Sequence, residues 1–164
     1  IISIAHLGLL AYSLLAITLA IGSFYKLFPK SPIAQKLFTN RRLFGLDTYF
    51  IALSHGFLVW AAYWQYSFSK VFDLSNFILS IVNLGMLALL LLTLLALSAN
   101  DKVVKWLTYK RWKVFHRLIY LIFIFVFIHG GALSHSIFDK SLIISIGLLT
   151  IILRIIAFVK KPKS

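Results

Sequence analysis

Five histidines, His6, His55, His116, His129 and His135, stand in a chain with 17 Lys+Arg, only 4 Asp+Glu and no Cys. Imidazole ligates metals, relays protons or joins helices by a hydrogen bond. The shortage of acids narrows that choice. A proton relay through a membrane normally includes Asp or Glu, and Asp47 alone lies in an apolar run. Zinc takes four ligands, and the carboxylates or thiolates that usually complete its set are missing. The lack of Cys removes disulfides, iron–sulfur clusters and haem attached through thioethers. Two imidazoles from different segments, clasping one flat ligand in apolar surroundings, suit a haem iron with two axial nitrogens. Such ligation leaves iron no open position, which favours electron transfer over chemistry on oxygen or substrate. The competing reading is a non-redox membrane protein, a metal-ion carrier or a structural subunit. Its histidines would bind an ion or simply join helices.

The elements that must position these residues follow from composition. Apolar residues make up 61% of the 164, and the mean hydropathy is +0.95. Soluble domains sit near roughly 45–50% apolar, so an all-α integral membrane bundle is expected, with the whole chain 1–164 as one domain. Five spans are expected at about 4–27, 44–65, 75–97, 114–134 and 141–159. Each holds about 19–24 residues, enough for ~30 Å of hydrocarbon. Backbone groups in lipid must be satisfied internally, and the alternation of a barrel strand is absent, so the spans are helices. No internal repeat is evident. "SPIAQKLF", from Ser31, suits a short interfacial helix with a Ser cap and Pro at the first helical position. Aromatic residues gather at span ends (Trp60, Tyr63, Trp64 and Tyr66; Trp106, Tyr109 and Trp112), as an interfacial belt requires.

Charge sets the topology. The connection from Lys26 to Arg42 carries five Lys/Arg, as does that from Asn100 to Lys113. The connections around 67–75 and 134–140 are nearly neutral, and the tail after Phe158 has three Lys. This alternation places the basic connections and the C-terminus in the cytoplasm. It explains the basic excess without nucleic acid, for which no basic face of a soluble fold exists. The first span then begins outside with no cleavable signal, so a preceding span, six in all, is expected.

Depth separates the histidines. At ~1.5 Å per residue, His55 lies ~20 Å from the Arg42 end of its span and His129 ~24 Å from Lys113. They share a level beyond the midplane. His116 lies only ~5 Å in, too far from His129 on the same helix to share a ligand. His135 falls in an outer connection, where solvation suffices.

The stretches "AHLGLLAYSLLAITLAIG", "NRRLFGLDTYFIALSHGF", "YKRWKVFHRLIYLIFIFVFIHGG" and "ILRIIAFVKK" occur in this order. With them the chain resembles the ferric reductase-like transmembrane domain superfamily over essentially its whole length. It looks closest to the haem-binding membrane subunits of bacterial periplasmic methionine-sulfoxide reductase systems. The resemblance implies a multi-pass protein of the bacterial inner membrane and an electron-transfer subunit of an oxidoreductase. It implies one haem b with His55 and His129 as axial ligands, and His116 at a second, inner haem or at the cytoplasmic electron entry. His6 matches a family histidine at the outer end, where it would bond a propionate or contact an acceptor. Trp112, Tyr120 and Phe127 would line haem edges, although ordinary packing explains each as well.

The basic residues Arg41, Arg42, Lys110, Arg111 and Arg117 read chiefly as topology determinants on anionic lipid. Arg41, Arg42 and Arg111 are also candidates to hold haem propionates or the phosphate of FMN. No dinucleotide fingerprint occurs. The expected donor is therefore a separate flavin reductase or a quinol. The expected acceptor is periplasmic or extracellular: a methionine-sulfoxide reductase, ferric iron or another protein.

Overall fold

A computed structural model of the chain describes residues 3–67, 77–134 and 136–160. Eight helices run through them: α1 (Ile4–Leu27), α2 (Pro32–Thr39), α3 (Arg41–Trp64), α4 (Phe77–Leu97), α5 (Asp101–Leu107), α6 (Tyr109–Phe115), α7 (Leu118–Leu133) and α8 (Ile137–Val159). The described residues contain no strand. Helices α1, α3, the α6–α7 unit and α8 are long and apolar enough to cross a membrane, and Ile81–Leu97 of α4 taken together with the sharply bent α5 brings the number to five. The protein is thus an all-α, multi-pass membrane bundle. Its lipid-facing surface is apolar, with Leu148, Leu149, Ile152, Ile155 and Ile156 exposed along α8.

The long helices close into a ring: α1 packs on α3, α3 on α4, α4 on α7, α7 on α8 and α8 on α1, while α1 also meets α7 across the middle. Without a hydrophobic drive between helices in lipid, close packing and hydrogen bonds hold such a ring. Its interior is an apolar plug of Tyr12, Leu15, Leu19, Ala88, Leu92, Ile122, Phe123 and Ile143. Tyr12 ties three helices. Its ring stacks on Phe123 at 5.6 Å, and its hydroxyl donates to the Ile143 carbonyl at 3.0 Å. Tyr12→Phe should therefore lower stability in mild detergent by about 1 kcal/mol, a typical interhelical hydrogen bond in lipid. Denaturant titration of the solubilised protein measures it.

Local chemistry sets the boundaries. The expected cap of α2 is present, with the Ser31 side chain accepting from the Ala34 N–H and Pro32 in the first turn. The basic stretch 100–113, expected as a connection, is largely helical. Asn100 caps α5 by accepting from the Val103 N–H at 2.9 Å, and α5 leaves α4 at 91°. The span expected from 114 to 134 is longer and broken. It starts at Tyr109 and is interrupted at His116 and Arg117. There the bonds tighten from the α to the 3₁₀ pattern, with Ile119 N–H on His116 O and Tyr120 N–H on Arg117 O. Two aromatic residues also depart from the expected belt. Trp64 is only 4% exposed, and Trp112 is half-buried against His116. The neutral connection around 67–75 lies mostly outside the described residues, as does His135.

Candidate functional site

His55 is carried by α3 and His129 by α7, helices that both pack on α4 and bring these imidazoles opposite each other across the ring interior. Their imidazole centres lie 6.4 Å apart with the rings nearly perpendicular, at 80°. The equal depth read from helix rise is thus matched by direct approach.

Each imidazole is seated in the same way. His55 Nδ1 lies 2.9 Å from the Ile4 carbonyl oxygen, and His129 Nδ1 lies 3.0 Å from the Ile81 carbonyl oxygen. A carbonyl only accepts, so Nδ1 carries the proton in both rings and Nε2 carries the lone pair. One helical turn beyond each carbonyl is a glycine that the ring lies against. A Cβ on Gly8 would stand 3.0 Å from His55 Cε1, and one on Gly85 would stand 2.6 Å from His129 Cε1. The two seats are "IAHLG" (Ile4–Gly8) on α1 and "IVNLG" (Ile81–Gly85) on α4. A pentapeptide pattern, Ile-x-x-Leu-Gly, thus occurs twice, where no internal repeat was expected. Each copy serves a histidine of the long helix that packs closely on it.

The opposite end of the bundle is the basic end. Fourteen residues separate Gly8 from Gly22 on α1, and Arg41 from His55 on α3, so the two floors lie ~21 Å apart along either helix. His116 belongs to this second floor. Ser98, buried at 7%, gives its hydroxyl proton to the Leu95 carbonyl. Its oxygen therefore accepts from His116 Nε2 at 3.0 Å. The Trp112 ring lies tilted over the His116 ring, centres 4.0 Å apart at 36°, and its indole N–H donates to the Ser98 carbonyl at 2.9 Å. His116 thus presents the opposite tautomer to the facing pair, with its lone pair on Nδ1.

The remaining predicted residues are scattered. His6 is exposed near the start of α1, with Nδ1 2.7 Å from the Ser3 hydroxyl. Arg42 forms an ion pair with Asp101 at 3.0 Å on the surface. Arg111 lines an open groove with Lys110, Val114 and Phe115. Arg41 alone of the three arginines turns into the bundle, donating from Nε to the Thr18 carbonyl at 3.0 Å. There it meets Arg154 of α8, which lies over the Tyr120 ring at 4.9 Å. Sequence reasoning missed Arg154, Gly8 and Gly85. A lone Arg in "IILRIIAFV" was itself the signal, since charge within a span is costly.

The family model described as ferric reductase like transmembrane component matches residues 7–127. The chain belongs to the ferric reductase-like transmembrane family. A membrane electron-transfer role goes with that membership. The match includes His55 and His116 and ends two residues before His129. No curated protein matches the chain. Within this ferric reductase-like bundle, the facing pair offers a nitrogen donor set that could hold a metal ion. It consists of two imidazoles whose Nε2 carries the lone pair, and among the described residues no third His, Asp or Glu joins them. Two imidazoles ligating one metal from opposite sides, each nitrogen about 2.0–2.1 Å from it, have ring centres roughly 6.3 Å apart. The 6.4 Å observed agrees with that spacing.

Proposed function

We propose that the protein is a transmembrane b-type cytochrome, the electron-transfer subunit of an oxidoreductase, in a bacterial inner membrane. Electrons enter at the basic end, taken as cytoplasmic with the C-terminus, from a flavin reductase or a quinol. They leave at the histidine end to an extracytoplasmic acceptor such as a methionine-sulfoxide reductase or ferric iron. The observation that carries this reading is the facing of His55 and His129, each with Nδ1 tied to a backbone carbonyl. Metal-ligating histidines characteristically donate their other ring nitrogen in this way, which fixes tautomer and ring orientation. His55 and His129 would be the axial ligands, and haem b would supply a one-electron ferric/ferrous couple. The apolar plug below them excludes water and keeps the local dielectric low, one of the levers on potential that a protein holds.

His116 serves the entry side. Its distance from the pair and its Ser98 bond give it a different task, at an inner haem or at the point of electron arrival. Arg41, Arg42 and Arg111 remain candidates for propionate or flavin phosphate, with Arg41 the one aimed inward. His6 is a candidate contact for the acceptor. The test is spectroscopic. Protein purified after expression with adequate haem should show a dithionite-reducible haem band and at least one haem per chain. A protein without such a band leaves the imidazoles an ion-binding or helix-joining role and sinks the cytochrome reading.

A further inference from the structure

The basic end of the bundle holds two charges that no described acidic residue balances. A Cβ built on Gly22 of α1 would lie 3.3 Å from Nη1 of Arg41 and 3.7 Å from Nη1 of Arg154. Two guanidiniums thus converge on one point, and like charges this close repel, most strongly away from water. Each is nevertheless held in place, Arg41 by the Thr18 carbonyl and Arg154 by the Tyr120 ring. Among the described residues no carboxylate answers them. Among the described residues the only ion pair is Arg42 with Asp101. Asp47 lines a groove with α2 residues, and Asp139 sits in the first turn of α8, fifteen residues and ~22 Å from Arg154. Beside Gly22, Ser23 is 1% exposed and its hydroxyl has no hydrogen-bond partner. Buried charges are retained when something pairs them. Arg41 and Arg154 are half-buried, and an anion from outside the chain would pair them.

The anion's chemistry follows from the donors. Guanidinium forks match oxyanions bidentately. Two full positive charges call for a dianion, and a phosphate monoester carries about −1.5 to −2 at neutral pH. The facing histidines lie ~21 Å away along α1, beyond the reach of any acidic substituent on a ligand centred there. We infer that Arg41 and Arg154, converging over Gly22, form a binding site for a phosphate group. The glycine leaves the space the oxyanion needs. The inference does not depend on a haem at the facing pair, but it competes with the propionates of an inner haem at His116 on this floor, which a protein blind to phosphate would favour. The phosphate belongs to a soluble phosphomonoester or to a lipid with a monoester headgroup such as phosphatidic acid, two sources of one chemistry.

Inorganic phosphate is the probe. It is titrated at constant ionic strength into the full chain in non-ionic detergent, with thermal unfolding followed by tryptophan fluorescence. In parallel, bound phosphorus is assayed after exhaustive delipidation. Phosphorus-free protein whose melting temperature rises saturably with phosphate points to a soluble phosphoester. About one phosphorus retained per chain, and lost in Arg154→Gln, points to a lipid headgroup. In the first case Arg154→Gln should raise the half-saturating phosphate at least tenfold, while Lys105→Gln, at an exposed position of the same basic end, leaves it unchanged. Gly22→Ala places a methyl in the oxyanion's space and should weaken the response at least tenfold. It keeps the test decisive should Arg154→Gln fail to fold. Phosphorus-free protein blind to phosphate, phosphorus that survives Arg154→Gln and Gly22→Ala, or a phosphate response unchanged in these variants overturns the inference.

Discussion

Replacing His129 by Ala is expected to strip the reducible haem from the purified protein, lowering haem per chain at least tenfold, and His55→Ala is expected to remove the same haem. The reasoning is geometric. The two rings meet at 6.4 Å, and each offers Nε2 because Nδ1 is engaged by a carbonyl. With haem held as proposed, loss of one axial nitrogen would leave the cofactor a single protein ligand. His116→Ala serves as the contrast. Its imidazole belongs to the other floor, bonded to Ser98, so the haem held by the facing pair should persist. A haem count and a reduced-minus-oxidised spectrum on each variant decide the matter. Retention of the haem in either His55→Ala or His129→Ala, or its loss in His116→Ala, would show the pairing to be wrong.

The second large effect is expected from a residue with no chemistry of its own. Gly85→Ala puts a methyl 2.6 Å from His129 Cε1 and 2.7 Å from its Nδ1, well inside van der Waals contact. Either the ring leaves its seat and loses the Ile81 carbonyl, or α4 moves away from α7. Overpacking of this kind typically costs about 1–3 kcal/mol. At the seat of a ligand, the first symptom should be haem occupancy, falling at least fivefold in protein that still migrates as a monodisperse species. Gly8→Ala is milder by the same measure, because its Cβ meets His55 at 3.0 Å and a small shift absorbs it. Gly131→Ala is the control, since nothing lies within 4 Å of a Cβ there. Haem occupancies ordered Gly131→Ala, Gly8→Ala, Gly85→Ala from highest to lowest support the seat. Full occupancy in Gly85→Ala removes it.

Much of this was legible in the sequence, for definite reasons. Apolar runs must be helices in lipid, so α1 was read to the residue, while α3 and α8 were read short at their N-terminal ends by three or four residues. The shared level of His55 and His129 followed from a constant rise per residue, and the meeting of their rings bears that count out. Other features left weak traces. The break at His116 and Arg117 contains no Pro or Gly to announce it. The bend after Leu97 looked like a connection because its residues are basic, yet Asn100 caps a helix there. Arg154 was passed over as part of a family-like last span, although a cation among Ile and Leu demands a partner. The repeat of Ile-x-x-Leu-Gly was hidden by shortness: five residues, two of them variable, carry little signal in a chain so rich in Ile and Leu.

The anchoring of both histidines has an evolutionary consequence. The acceptors that choose the tautomer are main-chain oxygens, and every amino acid supplies one. Ile4 and Ile81 can drift to any helix-compatible residue without losing the bond that prepares each imidazole. Only a change that displaces the helix itself, or fills the adjoining glycine, reaches it. The orientation of the two rings is therefore inherited with the backbone path and is nearly silent in the residues that provide it. Among diverging relatives, the histidine and the glycine one turn beyond its anchor are the letters expected to persist, while the anchoring positions wander.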